Sequence, residues 1–396
     1  MSKQCAIFFY EGYVGVAPTI VNLSKVMQRQ GYVVTIYATE NDYAQPGKIG
    51  ENVKIIYFCK DFKIVRFLNR TRLKPLVPLL KLSIFFFQVL NHQLRNQQLQ
   101  SLKNNINIGI DIYGNVTAML CLYFLRQKFL FLSLELWKPV GILSKMANLA
   151  YRKAVGVITQ SEGRVENLSS YYEYQHPQPF YLPNSSFATE DETLAKNSGN
   201  FFREKFNLNR QEFPYLILQA GMINDAVLAK TIAEVFNHID DGYALIFHER
   251  KERKEEEPYI QSLRKLNSKN LFLSLQPVPY EEVDKIYAAA TIGLAFYANL
   301  GNDYALISMA SGKLAEYLKH GKPVLLSNLP SLCKLVDEYQ FGIVINNPSD
   351  SEEIKTAIQQ ILSDFDTYSK NAKACFATEF DFGKKMEPIL LFMEDL

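Results

Sequence analysis

Residues 311–330, SGKLAEYLKHGKPVLLSNLP, read as a helix, a glycine turn and a strand. Leu314, Tyr317 and Leu318 recur at the i, i+3, i+4 spacing of one apolar helical face. Gly321 stops the helix behind the cations Lys319 and His320, which suit a helix C-terminus. Pro323 carries the chain out, and Val324, Leu325 and Leu326 make a short buried strand. The polar residues gather at the other end, where Ser311, Gly312 and Lys313 open the helix and Glu316 follows one turn later. A helix N-terminus presents unpaired N–H groups and the positive end of a dipole. With a Ser cap, a flexible Gly and a Lys it makes a seat for phosphate. A Glu one turn in can accept hydrogen bonds from a pair of sugar hydroxyls. The plainer alternative is that Ser311 caps the helix and Lys313 and Glu316 are solvated charges.

The same alternation of strand, loop and helix runs outward from this segment. Residues 5–10 are apolar on both faces, as in a parallel strand. A loop with Gly12 and Gly15 follows, then Pro18 opens a helix carrying Ile20, Leu23, Val26 and Met27 on one face. Gly31 ends it, and residues 32–38 form the next strand. This unit begins a doubly wound sheet, without the GxGxxG of a dinucleotide site. Further strands are expected at 53–58, 107–113, 129–134 and 155–161, with Gly114 and Asn115 after the second of them and then a helix through Leu125. A second sheet is expected from 215–219, 243–247, 271–275, 292–297, 324–326 and 341–345. The polar stretch 188–209 between the two sets marks a domain boundary. The expected division is 1–190, 191–375, and a final helical segment at 376–396.

At 396 residues, 48% of them hydrophobic, each half can bury its own core. A net charge of +2 argues against a nucleic-acid binder held by bulk charge. Five cysteines without a CxxC pair, and five scattered histidines without HExxH, suit a reducing compartment and imply no metal. The apolar run at 6–10 soon meets Glu11, so it does not read as a signal peptide. No stretch is expected to cross a membrane, since the nearest, 76–90, is broken by Pro78 and Lys81. The expectation is a cytoplasmic protein.

Residues 60–90 stand apart. Lys60, Lys63, Arg66, Arg70, Arg72, Lys74 and Lys81 meet only Asp61, and Phe62, Phe67, Leu73, Leu76 and three consecutive phenylalanines lie among them. Such a mixture can lie on an anionic bilayer surface, which would make the protein peripheral on the inner face of a membrane. The other reading is a helix pair with a basic outer face and a phenylalanine-rich inner one.

Strand ends carry the remaining candidates, because ligands of open α/β sheets bind beyond the carboxyl ends of the strands. Glu135 and Trp137 close the strand at 129–134, as a ligand contact or as a salt-bridged Glu beside a packed Trp. His248 and Arg250 follow the strand at 243–247, and the mixed charges after them read as a solvated helix.

Residues 311–324 resemble the nucleotide-sugar signature of GT-B glycosyltransferases of the family-4-like branch: Ser, any, Lys-Leu, any, Glu-Tyr, then Gly, any, Pro-Val. The resemblance extends in order of elements over nearly the whole chain. It includes a strand ending Ser161-Glu162 and a Pro183-Asn184 segment. It implies an α/β GT-B fold, two Rossmann-like doubly wound domains facing a cleft, with residues 388–396 returning to the first domain. It implies a nucleotide-diphosphate sugar as donor, no cofactor and no metal. Glu316 would hold the ribose, and Ser311, Gly312 and Lys313 the diphosphate. Gly15 and Gly221 would let backbone approach the donor, and Val278 would face the nucleobase. The acceptor, lipid-linked or a polysaccharide precursor, would lie near Gly15, Glu135, Trp137 and the basic segment. Transfer would retain configuration without a side-chain base, or invert it with Glu11 as base.

Two positions depart from the pattern. A second Glu expected eight positions before Glu316 is Ser308. An Arg/Lys pair expected after the first strand of the second domain is missing, since residues 219–226 read QAGMINDA and no cation follows until Lys230. Developing charge on a leaving diphosphate must be neutralised by something. Lys313, Arg250 and the helix N-terminus are the replacements on offer. The alternative class is a non-catalytic GT-B-like subunit that binds a partner enzyme or a glycan. A sugar-nucleotide epimerase of the same architecture has no feature in its favour.

Overall fold

The computed structural model describes residues 3–41, 47–59, 62–96, 106–188, 200–239 and 242–396. The chain forms two compact units, residues 1–183 with 385–396, and residues 184–384.

The first unit contains β1 (Lys3–Phe9), α1 (Pro18–Arg29), β2 (Tyr32–Thr39), β3 (Val53–Phe58), α2 (Lys63–Leu68), α3 (Val77–Asn96), β4 (Ile106–Ile110), α4 (Asp111–Leu125), β5 (Lys128–Leu132), α5 (Gly141–Lys153), β6 (Gly156–Thr159), α6 (Glu162–Tyr172) and β7 (Pro179–Tyr181). The seven strands lie in the order β3-β2-β1-β4-β5-β6-β7, and every pairing is parallel. Ile7 on β1 sits opposite Ile36 and Ile108, and all three are fully buried. Winding reverses between β1 and β4, which places the crevice of this sheet at their carboxyl ends. Residues 385–396 pack here, with the Phe392 ring 5.2 Å from that of Phe180.

The second unit contains α7 (Phe201–Phe206), β8 (Tyr215–Gly221), α8 (Ala229–Phe236), β9 (Tyr243–Glu249), α9 (Pro258–Arg264), β10 (Leu271–Ser274), α10 (Val283–Ala288), β11 (Ile292–Ala295), α11 (Asn302–Ala305), α12 (Gly312–Lys319), β12 (Val324–Ser327), α13 (Pro330–Tyr339), β13 (Gly342–Ile345), α14 (Ser351–Ser363) and α15 (Phe365–Cys375). A last helix, α16 (Phe382–Glu394), runs from this unit into the residues assigned to the first. The six strands are parallel in the order β10-β9-β8-β11-β12-β13, so winding reverses between β8 and β11. Tyr317 of α12 is fully buried at that reversal. Its hydroxyl donates to Leu218 O (2.6 Å) and accepts from Ala220 N (3.0 Å). Gly293 on β11 leaves room for the ring, since a Cβ there would lie 2.5 Å from it. The Tyr of the signature is therefore the anchor that fixes α12 on the sheet.

Four expectations change. β4 ends at Ile110 rather than at residue 113, and α4 starts at once because Asp111 adopts a left-handed conformation (φ 53°). Within α4, Gly114 is a contact point, where a Cβ would lie 2.1 Å from Phe8 O. The charged run after β9 is not a solvated helix. Glu249 is buried, accepts from Ile223 N (2.9 Å) and Arg250 N (3.0 Å), and meets Arg253 at 3.2 Å, so these charges stitch two loops together. The polar boundary at 188–209 contains α7 with Phe202 fully buried, while residues 189–199 lie outside the described residues. Finally, α3 belongs to a helix long and apolar enough to cross a membrane, because Pro78 and Lys81 fall near its start instead of breaking it. Its residues Leu82, Phe85, Phe86 and Val89 are buried in the unit, with the Phe85 ring against Tyr10.

Candidate functional site

The second unit builds a polar site where α12 begins. Ser311 caps the helix by accepting from Leu314 N (3.2 Å), and its hydroxyl also pairs with that of Tyr297. Tyr297 follows β11 and is held by Ser327, which accepts from its N–H (2.8 Å) and donates to its carbonyl (2.9 Å). The Lys313 ammonium lies over the Tyr297 ring, 4.3 Å from its centre, and donates to Phe296 O at 3.4 Å. Burial, and then the neighbouring Arg250 guanidinium, push the Lys313 amine down to about 7. The charge of Arg250, from a distant part of the sequence, is therefore felt at this helix start. A dianion brought there would be attracted by both cations, and by the first-turn N–H groups of α12.

Arg250 reaches this place because β9 ends one residue earlier. Its N–H donates to Gly221 O (2.8 Å) and to Glu249 Oε1. Gly221 ends β8 with φ 115°, and no atom lies within 4 Å of the space a Cβ would occupy. Asn184, absent from the site residues read in the sequence, closes the other side of Gly312. It donates through Nδ2 to Ala310 O (3.2 Å) and through its N–H to Met309 O (2.8 Å). A Cβ on Gly312 would press on that side-chain amide at 3.2 Å.

Glu316 lies on α12 one turn deeper and is only 6% exposed. Its Oε2 is 3.7 Å from Lys319 Nζ, which donates to Asp284 Oδ1 on α10 at 2.7 Å. His320 Nε2 lies 3.0 Å from the same Asp284 oxygen. Burial opposes the charge on Lys319, but Glu316 and Asp284 outweigh it and raise the amine. Burial likewise opposes the Asp284 carboxylate, and the hydrogen bonds and charges of His320 and Lys319 outweigh it and lower the group. Asp284, Glu316 and His320 are the one set among the described residues with ligand atoms close enough for a metal. The Lys319 ammonium already supplies positive charge between the carboxylates. Val278 precedes α10 and packs half-buried against the core of this unit.

His248 does not join this group. It is 5% exposed, its Nδ1 pairs with Ser274 Oγ at 2.8 Å, and its ring packs on Phe202 of α7. Burial, then the Lys205 charge, hold its imidazole near 3. It is a neutral core histidine.

In the first unit the expected Gly15 lies in a short 3-10 turn, Val14–Val16. Gly12 is the glycine that the loop requires, with φ 81° and a Cβ position 1.9 Å from Thr39 O. Glu11 follows β1 and Glu135 follows β5. Sequence reasoning missed the group between them, Asp111, at the end of β4. Its Oδ1 accepts from Leu134 N (2.8 Å) and Glu135 N (3.0 Å). A lone Asp at a predicted strand's middle gave no signal; the helix start that exposes its role appears only in three dimensions. Trp137 is half exposed, with its ring 6.1 Å from Tyr113, which lies 4.4 Å from Tyr10.

No protein-family profile matches the chain, and no curated protein sequence is similar to it. Solved structures are similar over their full length. Anabaena Alr3699/HepE, solved in complex with UDP, matches with a TM-score of 0.70 at 13% identity, covering 99% of this chain and 100% of that one. The fold is GT-B. Sucrose-phosphate synthase from Thermosynechococcus elongatus shares it with a TM-score of 0.68 at 13% identity, covering 99% and 98% of the two chains. An E. coli structure titled trehalose-6-phosphate, bound with UDP-2-fluoro glucose, shares it with a TM-score of 0.67 at 11% identity, covering 100% and 99%. Within the GT-B fold, α12 and its flanking strand ends make up the site described for the second unit.

Proposed function

We propose that this protein is a glycosyltransferase that takes a sugar from a nucleoside-diphosphate donor bound to its second unit. The observation that carries the reading is the N-terminus of α12, capped by Ser311, with Lys313 at its start and the Arg250 charge near enough to lower that amine. It supplies two cations where the sequence lacks the usual Arg/Lys pair, on a fold that in Anabaena HepE is solved with UDP. The diphosphate would rest on Ser311, Gly312, Lys313 and Arg250, beside the Gly221 turn. Glu316 would accept the ribose hydroxyls, and the turn at Val278 would offer backbone to the base. In the reaction the acceptor hydroxyl oxygen bonds to the anomeric carbon as the bond from that carbon to the diphosphate breaks. With retention the acceptor proton passes to the leaving phosphate oxygen, and Lys313 and Arg250 neutralise its charge in place of a metal. With inversion Glu11 would take that proton.

The acceptor in this reading is a glycan or lipid-linked sugar engaged by Glu135 and Trp137 of the first unit. The sequence has no acidic residue from 62 to 110, and Ile64, Phe67, Leu73, Leu76 and Phe87 are exposed among its cations. That supports a seat for α2 and α3 on the anionic inner face of a membrane. The second reading, a non-catalytic subunit that binds a partner enzyme or a glycan, draws on Ser308, a buried serine at the position where the pattern has a second Glu. Calorimetric titration with UDP and GDP, followed by an assay of UDP-glucose and GDP-mannose hydrolysis, separates the readings. A transferase binds one nucleotide, loses it in the Lys313→Met/Arg250→Ala double variant, and releases it from the matching donor. Binding without turnover of any donor leaves the subunit reading.

A further inference from the structure

The carboxyl ends of β1, β4 and β5 bring three acidic residues, Glu11, Asp111 and Glu135, to one place, and Asp111 is the unusual one. It is 7% exposed, its backbone is left-handed, and Oδ1 is fixed by two backbone N–H groups. Its Oδ2 is fully buried and has no hydrogen-bond partner among the described residues. Native structures rarely leave such an atom unsatisfied, and a functional role or a bound group from outside the chain is among the reasons when they do. Burial, then the charges of Glu11 and Glu135, raise this carboxyl well above the usual carboxylate range. In its acid form such a group can both donate and accept, which matches a hydroxyl. A row of rings, Tyr10, Tyr113 and the half-exposed Trp137, adjoins it. Rings present an apolar face with a polar edge, the kind of surface that takes the C–H side of a sugar. The buried guanidinium of Arg164 donates to Leu134 O at 2.7 Å.

We propose that Glu11, Asp111 and Glu135 with Trp137 form a subsite for a sugar ring without negative charge, in which Asp111 holds a ring hydroxyl and the carboxylates of Glu11 and Glu135 set the selectivity. The inference deepens the transferase reading and rests on it for the ring's role as acceptor. Neutral and amino sugars fit the acidic field, and their phosphorylated forms are repelled by it.

Trp137 is the sole tryptophan, so intrinsic emission reports on this place directly. The full chain is titrated with glucose, mannose, N-acetylglucosamine and glucosamine, and with glucose 6-phosphate and mannose 6-phosphate. The expected result is a saturable change with at least one unphosphorylated sugar, and an apparent Kd at least ten-fold weaker for its phosphate. Asp111→Ala weakens that sugar at least five-fold and keeps the gap, and Glu11→Gln, as the second variant, narrows it. Equal or tighter binding of the phosphates overturns the inference. So does an absence of response to every sugar, or a titration unchanged in both variants. UDP binding measured by calorimetry on the same samples keeps the two proposals apart. UDP binding with no sugar response removes the subsite and leaves the transferase reading, whereas a sugar response without nucleotide binding removes the transferase reading and its acceptor role alone.

Discussion

Nucleoside-diphosphate affinity is expected to fall with rising pH through Lys313. In the free protein burial and Arg250 hold its amine near 7, against an ordinary 10.5. A bound diphosphate places opposite charge against the ammonium and favours the protonated form. Below the free value Lys313 is charged in both states, and affinity does not depend on it. Above that value the free amine is neutral and must take up a proton to bind. Each pH unit then costs up to about ten-fold in affinity, or roughly 1.4 kcal/mol. If binding restores the ordinary value, moving from about pH 7.5 to about 9 weakens UDP some 20-fold, roughly 1.8 kcal/mol. The last phosphate ionisation of the ligand lies below this window, at about 6. Calorimetry near pH 8 in buffers of different ionisation enthalpy is expected to show uptake of close to one proton. Lys313→Met binds more weakly at neutral pH and shows neither the uptake nor the slope. UDP that binds wild type with a pH-independent Kd and no proton uptake would falsify the placement of Lys313 on the diphosphate.

Glu316→Gln is expected to weaken UDP about ten-fold, the range for a hydrogen bond to a charged group, while inorganic diphosphate binds as before. Equal losses for both ligands would place Glu316 on the phosphates instead of the ribose. Asp111 has a raised folded-state value, so the stability it contributes is full below the ordinary carboxylate range and is lost as pH climbs through the folded value. Asp111→Asn ends that loss, and is expected to raise stability at about pH 8 by ~1 kcal/mol in urea unfolding. No gain there means the carboxylate is relieved by a partner when ionised. His248 has a depressed value, near 3 against 6.5, so its contribution is present above 6.5 and falls as pH drops toward 3. Its slope is up to ~1.4 kcal/mol per pH unit, and the variant His248→Gln is expected to lack that component between about pH 6 and 4. Vesicles rich in anionic phosphatidylglycerol are expected to sediment the protein at low salt, and Arg66→Glu with Arg70→Glu to release it. Sedimentation indifferent to those charges, or equal on neutral vesicles, removes the membrane seat.

The order of elements was legible because each is specified by neighbours a few residues apart. Ser311 caps, Pro18 and Pro330 open helices, Gly31 and Gly321 close them, and period and β-branching mark the strands. The signature residues of α12 could be read from spacing alone, because i, i+3 and i+4 positions share a face whatever the tertiary context. The chemistry at that face could not. Alternation along a strand puts His248 and Arg250 on the same side. Glu249 ends β9 by capping the next N–H, and that single turn sends Arg250 toward Lys313 and leaves His248 in the core. Asp111 looked like a residue inside a strand until its left-handed turn placed it between acids that lie far off along the chain. Local sequence, then, determined the strands, the helices and their order along the chain. Which charges meet, and how far each amine or carboxyl is displaced from its ordinary value, depended on through-space distance and burial, which exist only once the sheets have assembled.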